Sequence, residues 1–137
     1  MRAALLASLA ICCGTAQADE VWRTRDGGLV IYEADIGSTA VLSAPGPYGT
    51  VSVYVPGLGG VWGQDRRQSY DAYYIGSAEG GPCEAALMAP DERVSHDWGT
   101  ARLVLTRRGF PTTILLLTSP CGGTEEDLIV GEPVVAE

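Results

Sequence analysis

Apolar and polar residues alternate with a period of two over most of the chain. The clearest case is residues 50–55, where Val51, Val53 and Val55 share one face and Thr50, Ser52 and Tyr54 the other. A strand with its valines on a core and its polar face in water has this pattern. Residues 98–106 and 112–118 are two further apolar runs separated by Arg107-Arg108-Gly109-Phe110-Pro111, and they read as a hairpin that carries much of the core. Nearer the N-terminus, residues 21–25 and 29–33 flank Asp26-Gly27-Gly28, a turn signal because Asp and Gly tolerate positive φ. Residues 29–33 are apolar on both faces as far as Glu33 and are expected inside a sheet. Residues 39–43 follow a turn at 35–38, and Pro45 and Pro47 are expected to end that strand before the next begins.

Residues 57–68 form a long loop with four glycines, of the kind that is often functional or mobile. Residues 69–75 read as a strand in which Tyr70, Ala72 and Tyr74 face one way and Tyr73 and Ile75 the other. Residues 83–89 are ambiguous: their Ala, Glu, Leu and Met favour helix, while their shortness and flanking prolines favour strand, and the reading leans to strand. Pro90-Asp91-Glu92 is a turn, residues 128–130 are a last short strand, and residues 133–137 are expected to fray. About eight short strands, spaced by turns, with no amphipathic helix of credible length, predict an all-β fold. The expectation is a single small sandwich or barrel of antiparallel strands over residues 19–137.

The first eighteen residues stand apart. Arg2, the apolar run at residues 3–11 and Ala16-Gln17-Ala18 have the layout of a secretory signal peptide, too short to span a bilayer stably. A lipid anchor at Cys12 or Cys13 is the weaker reading, because Ile11 is bulky where such sites want a small residue. No other stretch approaches transmembrane length. Removal of residues 1–18 takes Arg2 with it and leaves 119 residues with eight Arg, no Lys and all 17 acids, a formal charge of −9. It also leaves two cysteines, Cys83 and Cys121, with one possible pairing in an oxidising periplasmic or extracellular space. A bridge closing a loop of 38 residues is worth about 4 kcal/mol by chain entropy.

The acidic balance argues against nucleic acid as a partner, since neutralising phosphates needs a basic face. It suits a basic extracytoplasmic protein partner. Candidate chemistry is sparse. Ser95-His96-Asp97 contains the one histidine, but neighbours along a strand point to opposite faces and cannot form a nucleophile–base relay. Asp91-Glu92 and Glu125-Glu126-Asp127 lack the spacing of a calcium loop, and zinc lacks ligands. Glu33 and Asp35 could share a face as a carboxylate pair. The glycines at residues 57–60 have no Lys-Ser or Lys-Thr after them and are not a phosphate cradle. No cofactor is expected. What remains is aromatic and cationic: Trp62, Arg66 and Arg67 in the long loop, with Tyr70 and Tyr73 in the strand after it. These are residue types that dominate protein–protein hot spots, although aromatics in a small β domain also fill cores.

In general character (secreted, β-rich, one disulfide) the chain is similar to the small periplasmic lysozyme inhibitors. Their Ser-Gly-x-x-Tyr loop motif is absent, so the likeness places no site residue. The functional expectation is a secreted or periplasmic binding or inhibitor-like module acting through protein contact, without catalysis. The alternatives are a hydrolase using His96 or the carboxylate pair, and a structural component of the cell envelope.

Overall fold

A computed structural model describes residues 20–77 and 80–135. The expected signal peptide, residues 1–18 with Cys12 and Cys13, lies outside the described residues. Eight antiparallel strands close into a barrel: β1 (Val21–Thr24), β2 (Leu29–Ile36), β3 (Thr39–Gly46), β4 (Gly49–Pro56), β5 (Ser69–Ile75), β8 (Trp98–Leu105), β9 (Ile114–Pro120) and β10 (Asp127–Pro133). Each pairs with its neighbour in the chain, and β1 closes on β10. Between β5 and β8 the chain leaves the wall to form a two-stranded ribbon, β6 (Leu87–Met88) and β7 (Val94–Ser95). Of the two architectures that the strand spacing allowed, the protein therefore adopts the barrel.

The alternating pattern explains the inside. Val51, Val53 and Val55, Tyr70, Ala72 and Tyr74, Ala40, Leu42 and Ala44, Leu103 and Leu105, and Ile114 and Leu116 all point inward and are buried. An eight-stranded barrel has an interior of the width that side chains can fill, and here they fill it with one apolar cluster. The β2–β3 register slips between Tyr32 and Ala34. Such a slip is a β-bulge, which adds local twist.

Four local expectations are corrected. Pro45 does not end β3 but lies within it, opposite Thr50. The β2–β3 pairs stop at Ile31 and Ser43, so the missing N–H of Pro45 falls beyond the paired ladder. The break is confined to Pro47 and Tyr48, a two-residue turn between Gly46 and Gly49. Residues 83–89 are mostly irregular, with strand only at Leu87 and Met88. Pro133 is the last residue of β10, paired with Trp22, and the Val134 N–H donates to the Val21 carbonyl, so the expected frayed tail is bound at its start. Finally, Tyr54 is not at the surface. It is 1% exposed, because the 76–97 excursion folds back over the outer wall. Tyr54, Ile75 and Ala89 form a second apolar cluster there, with Val41, Tyr73, Leu87 and Trp98 packed on it.

Two fastenings hold the excursion. The Arg93 guanidinium donates to the Ser52 hydroxyl at 3.0 Å and the Tyr54 hydroxyl at 2.8 Å. The Cys83–Cys121 disulfide ties its root to the end of β9. Replacing both cysteines by serine is expected to lower the unfolding free energy by about 4 kcal/mol, as loop entropy dictates for this span. Urea unfolding of the variant beside the wild type measures this, and a loss below about 1 kcal/mol would contradict it.

Candidate functional site

The loop of residues 57–68 folds across one end of the barrel. Its Gly59 lies so close to the backbone of residues 37–39 that a Cβ would sit 2.7 Å from the Ser38 carbonyl carbon, so only glycine fits. Leu58 drops into the core. Trp62 stacks on Tyr32 with ring centroids 5.4 Å apart, and the Arg66 guanidinium lies over Trp62 at 4.7 Å. Arg66 is 2% exposed, and its Nη1 donates to Glu20 Oε2 at 2.9 Å. Its Nη2 lies 2.8 Å from Glu20 Oε1 at ion-pair distance but without an aligned hydrogen bond. Its Nε donates to the Val61 carbonyl. Asp35 accepts from the Tyr32 hydroxyl and from the Gly60 N–H. Burial, and secondarily the bond to Asp35, push the Tyr32 hydroxyl pKa well above the usual tyrosine range.

This end gathers four of the five expected binding residues, but as a plug. Trp62 is half-buried, Arg66 is sealed, and Tyr70 is inside the barrel with its hydroxyl accepting the Arg67 N–H at 2.7 Å. Only Arg67, which lies over the Tyr70 ring, is exposed. Tyr73 is elsewhere. It faces outward from β5, stacked on Tyr54 at 5.2 Å beneath the ribbon. Glu20 escaped the sequence reading. Its partner is 46 residues away, and no local pattern marks such a pairing.

The catalytic candidates do not converge. Ser95 is buried, bonded to the Ser77 carbonyl and the Asp97 N–H, whereas His96 is exposed and bonds through Nδ1 to the Cys83 carbonyl. Glu33 accepts from Ser43, and Asp35 is occupied as above. Among the described residues no group of three or more His, Cys, Asp or Glu gathers to hold a metal.

The opposite end differs in charge and shape. The turns and loops that reach it carry exposed Asp26, Glu84, Glu125, Glu126 and Asp127, and their exposed guanidiniums among the described residues are Arg25 and the Asp91-paired Arg93. The plugged end instead carries exposed Arg67, Arg107 and Arg108 against Asp35 and Asp65. Charge is thus sorted along the barrel axis. At the acidic end burial raises the pKa of Asp97, and burial together with Asp97 and Asp127 raises that of the Tyr74 hydroxyl.

The wall is also interrupted at the acidic end. Strand β1 stops at Thr24 and pairs with β10 through Gly131, Glu132 and Pro133, whereas β9 pairs with β10 from Asp127 to Gly131. Beyond Thr24 the chain turns into Arg25, Asp26 and Gly27, with Thr24 bonded to Gly27 and Gly28. A notch of about 410 Å³ opens between that turn, Pro45 and residues Leu128, Ile129 and Val130. Leu128 is 58% exposed beside it. An apolar depression with Asp26 and Arg25 at its mouth, at the end of the barrel that carries the acidic loops, can take up a polypeptide or an apolar group carrying positive charge.

Comparison with known proteins finds no family model, no characterised relative and no solved structure that matches the chain. The site is therefore read from its own chemistry.

Two outcomes follow for the buried charges. Arg66→Met leaves Glu20 buried without its partner and is expected to cost about 3–5 kcal/mol, with much of it recovered when Glu20→Met is added. Denaturant unfolding reads both variants, and a single-variant cost under 1 kcal/mol would contradict a desolvated pair. Asp97 has the opposite sign. Its folded pKa is raised, so it binds its proton more tightly when folded, and the stability it lends at low pH is lost as pH rises through that value. Asp97→Asn is expected to melt above the wild type at pH 7 and to lose that advantage below about pH 4, the ordinary carboxylate range. An equal shift at both pH values would rule out the ionised carboxylate as the cause.

Proposed function

We propose that the protein is an extracytoplasmic binding module that holds a basic partner protein at the acidic end of its barrel. The observation that carries this reading is the sorting of charge between the two ends. Five exposed carboxylates stand at one end against Arg25 and the Asp91-paired Arg93. Charges of one sign gathered on one face steer a partner of the opposite sign and speed its docking. The Cys83–Cys121 bridge fits an oxidising compartment and so supports placement outside the cytoplasm. A basic cell-wall hydrolase is one partner of this chemistry. The hydrolase reading is the weaker one, because Ser95 and His96 make separate backbone contacts and face different surroundings.

The envelope-component reading draws on one feature, the apolar outer wall over β10 and its neighbours. Leu29, Leu128, Val134 and Val135 are all at least 40% exposed there. An exposed apolar patch marks a surface that something covers. The two readings differ in their response to salt.

Immobilised protein incubated with a periplasmic extract is expected to retain basic proteins in low salt and release them as ionic strength rises. The triple variant Glu125→Gln, Glu126→Gln, Asp127→Asn should retain them several-fold less. Equal capture by both proteins, or capture that persists in high salt, would overturn the acidic-end reading and favour the structural one.

A further inference from the structure

We infer that the notch receives an extended segment of the partner as an added strand on the free edge of β10. This rests on the reading of the acidic end given above. The argument starts from the ladder. The Val134 N–H donates to the Val21 carbonyl, and the β1–β10 register pairs Trp22 with Pro133, Arg23 with Glu132 and Thr24 with Gly131. In an antiparallel ladder, hydrogen-bonded and non-bonded pairs alternate. Val134 and Glu132 therefore turn their main-chain groups towards β1, and Pro133 and Gly131 turn theirs towards β9. Continued along β10, the same alternation aims the N–H and C=O groups of Val130 and Leu128 at the β1 side. There β1 has ended, and the notch stands in its place.

A row of main-chain groups with no strand beside it is a template for one more strand. The edge runs from Asp127 to Val130, so it accepts about four residues at ~3.3 Å each. Pro45, Leu128 and Val130 line the notch and suit apolar side chains on the incoming segment. Charge fixes what flanks it. Asp127 stands at the β9-loop end of the edge, with Glu125 and Glu126 just before it in the chain, whereas Asp26 and Arg25, whose guanidinium has no ion pair among the described residues, line the notch at the turn end. The occupant is therefore a short extended stretch, alternately apolar, with its lysines or arginines on the Asp127 side.

The probe is a capped synthetic peptide of four alternating valines and threonines ended by two lysines, titrated calorimetrically against the intact protein. Two N-methylated isomers each block the amides of one edge. Strand addition predicts that one isomer binds about tenfold more weakly or worse, as the loss of two hydrogen bonds implies, and that the other stays near the parent. Val130→Pro removes an N–H that β9 does not use and is expected to weaken the parent peptide by about the same factor, with circular dichroism checking the fold. Both isomers binding like the parent, or no binding of the parent, would overturn the inference. A version with glutamates for the lysines separates the two claims. If that swap abolishes binding while N-methylation does nothing, the acidic-end reading survives and strand addition falls. If N-methylation matters and the swap does not, strand addition survives and the acidic-end reading falls.

Discussion

The barrel depends on the seam that closes it. Seven of its eight strand junctions join neighbours in the chain, and the eighth joins β1 to β10 through three residue pairs. Without that junction the sheet has two open edges and no sealed core. Several contacts converge to hold it. Trp22 fills the interior beside it, with its Nε1–H donating to the Thr112 carbonyl at 2.8 Å and its ring edge-on to Phe110. Gly131 lets Trp22 and Ile114 approach so closely that a Cβ would lie 2.8 Å from each. The buried Glu20–Arg66 pair anchors the chain just before β1 to the loop that plugs the barrel. The shortness of the same seam produces the notch. A β1 only four residues long cannot cover a β10 of seven, so closure at one end leaves an unpaired edge at the other.

The outer wall shows two treatments of the same problem. An eight-stranded barrel of short strands buries apolar residues on its inner face, and apolar residues on its outer face need separate cover. Over β4, β5 and the start of β8 the protein covers them itself, with a ribbon held by Arg93 and the disulfide. Over β10 it does not, and Leu128, Val134 and Val135 stay exposed. The plugged end, where the aromatic and cationic residues gather, does structural work, and the acidic end carries the features that a partner could use.

Much of the inside was legible in the sequence because a period of two is a local property. Val51, Val53 and Val55, and the division of Tyr70 and Tyr74 from Tyr73, could be read off directly. The cysteine pairing followed from there being two cysteines after the expected signal segment. The burial of Tyr54 could not be read, because its cover comes from a segment about 35 residues later with little regular structure. For the same reason Glu20 drew no notice and Arg66 was read as a binding residue rather than a buried one. The aromatic and cationic residues of the long loop resembled a binding surface because hot spots and plugs use the same side chains. The notch was invisible, since it arises from a register difference between β1 and β10 that exists only once the sheet has closed.

The central claim is that β10 changes partners partway along, paired with β1 near Pro133, with both neighbours at Gly131 and with β9 alone near Leu128. Amide hydrogen exchange of the free protein, read residue by residue, tests this most directly. The account predicts slow exchange at Ile129, Gly131, Glu132 and Val134 and fast exchange at Leu128 and Val130. Equal protection along the whole of β10 would contradict it, because the seam would then run the full length of the strand and no edge would be free.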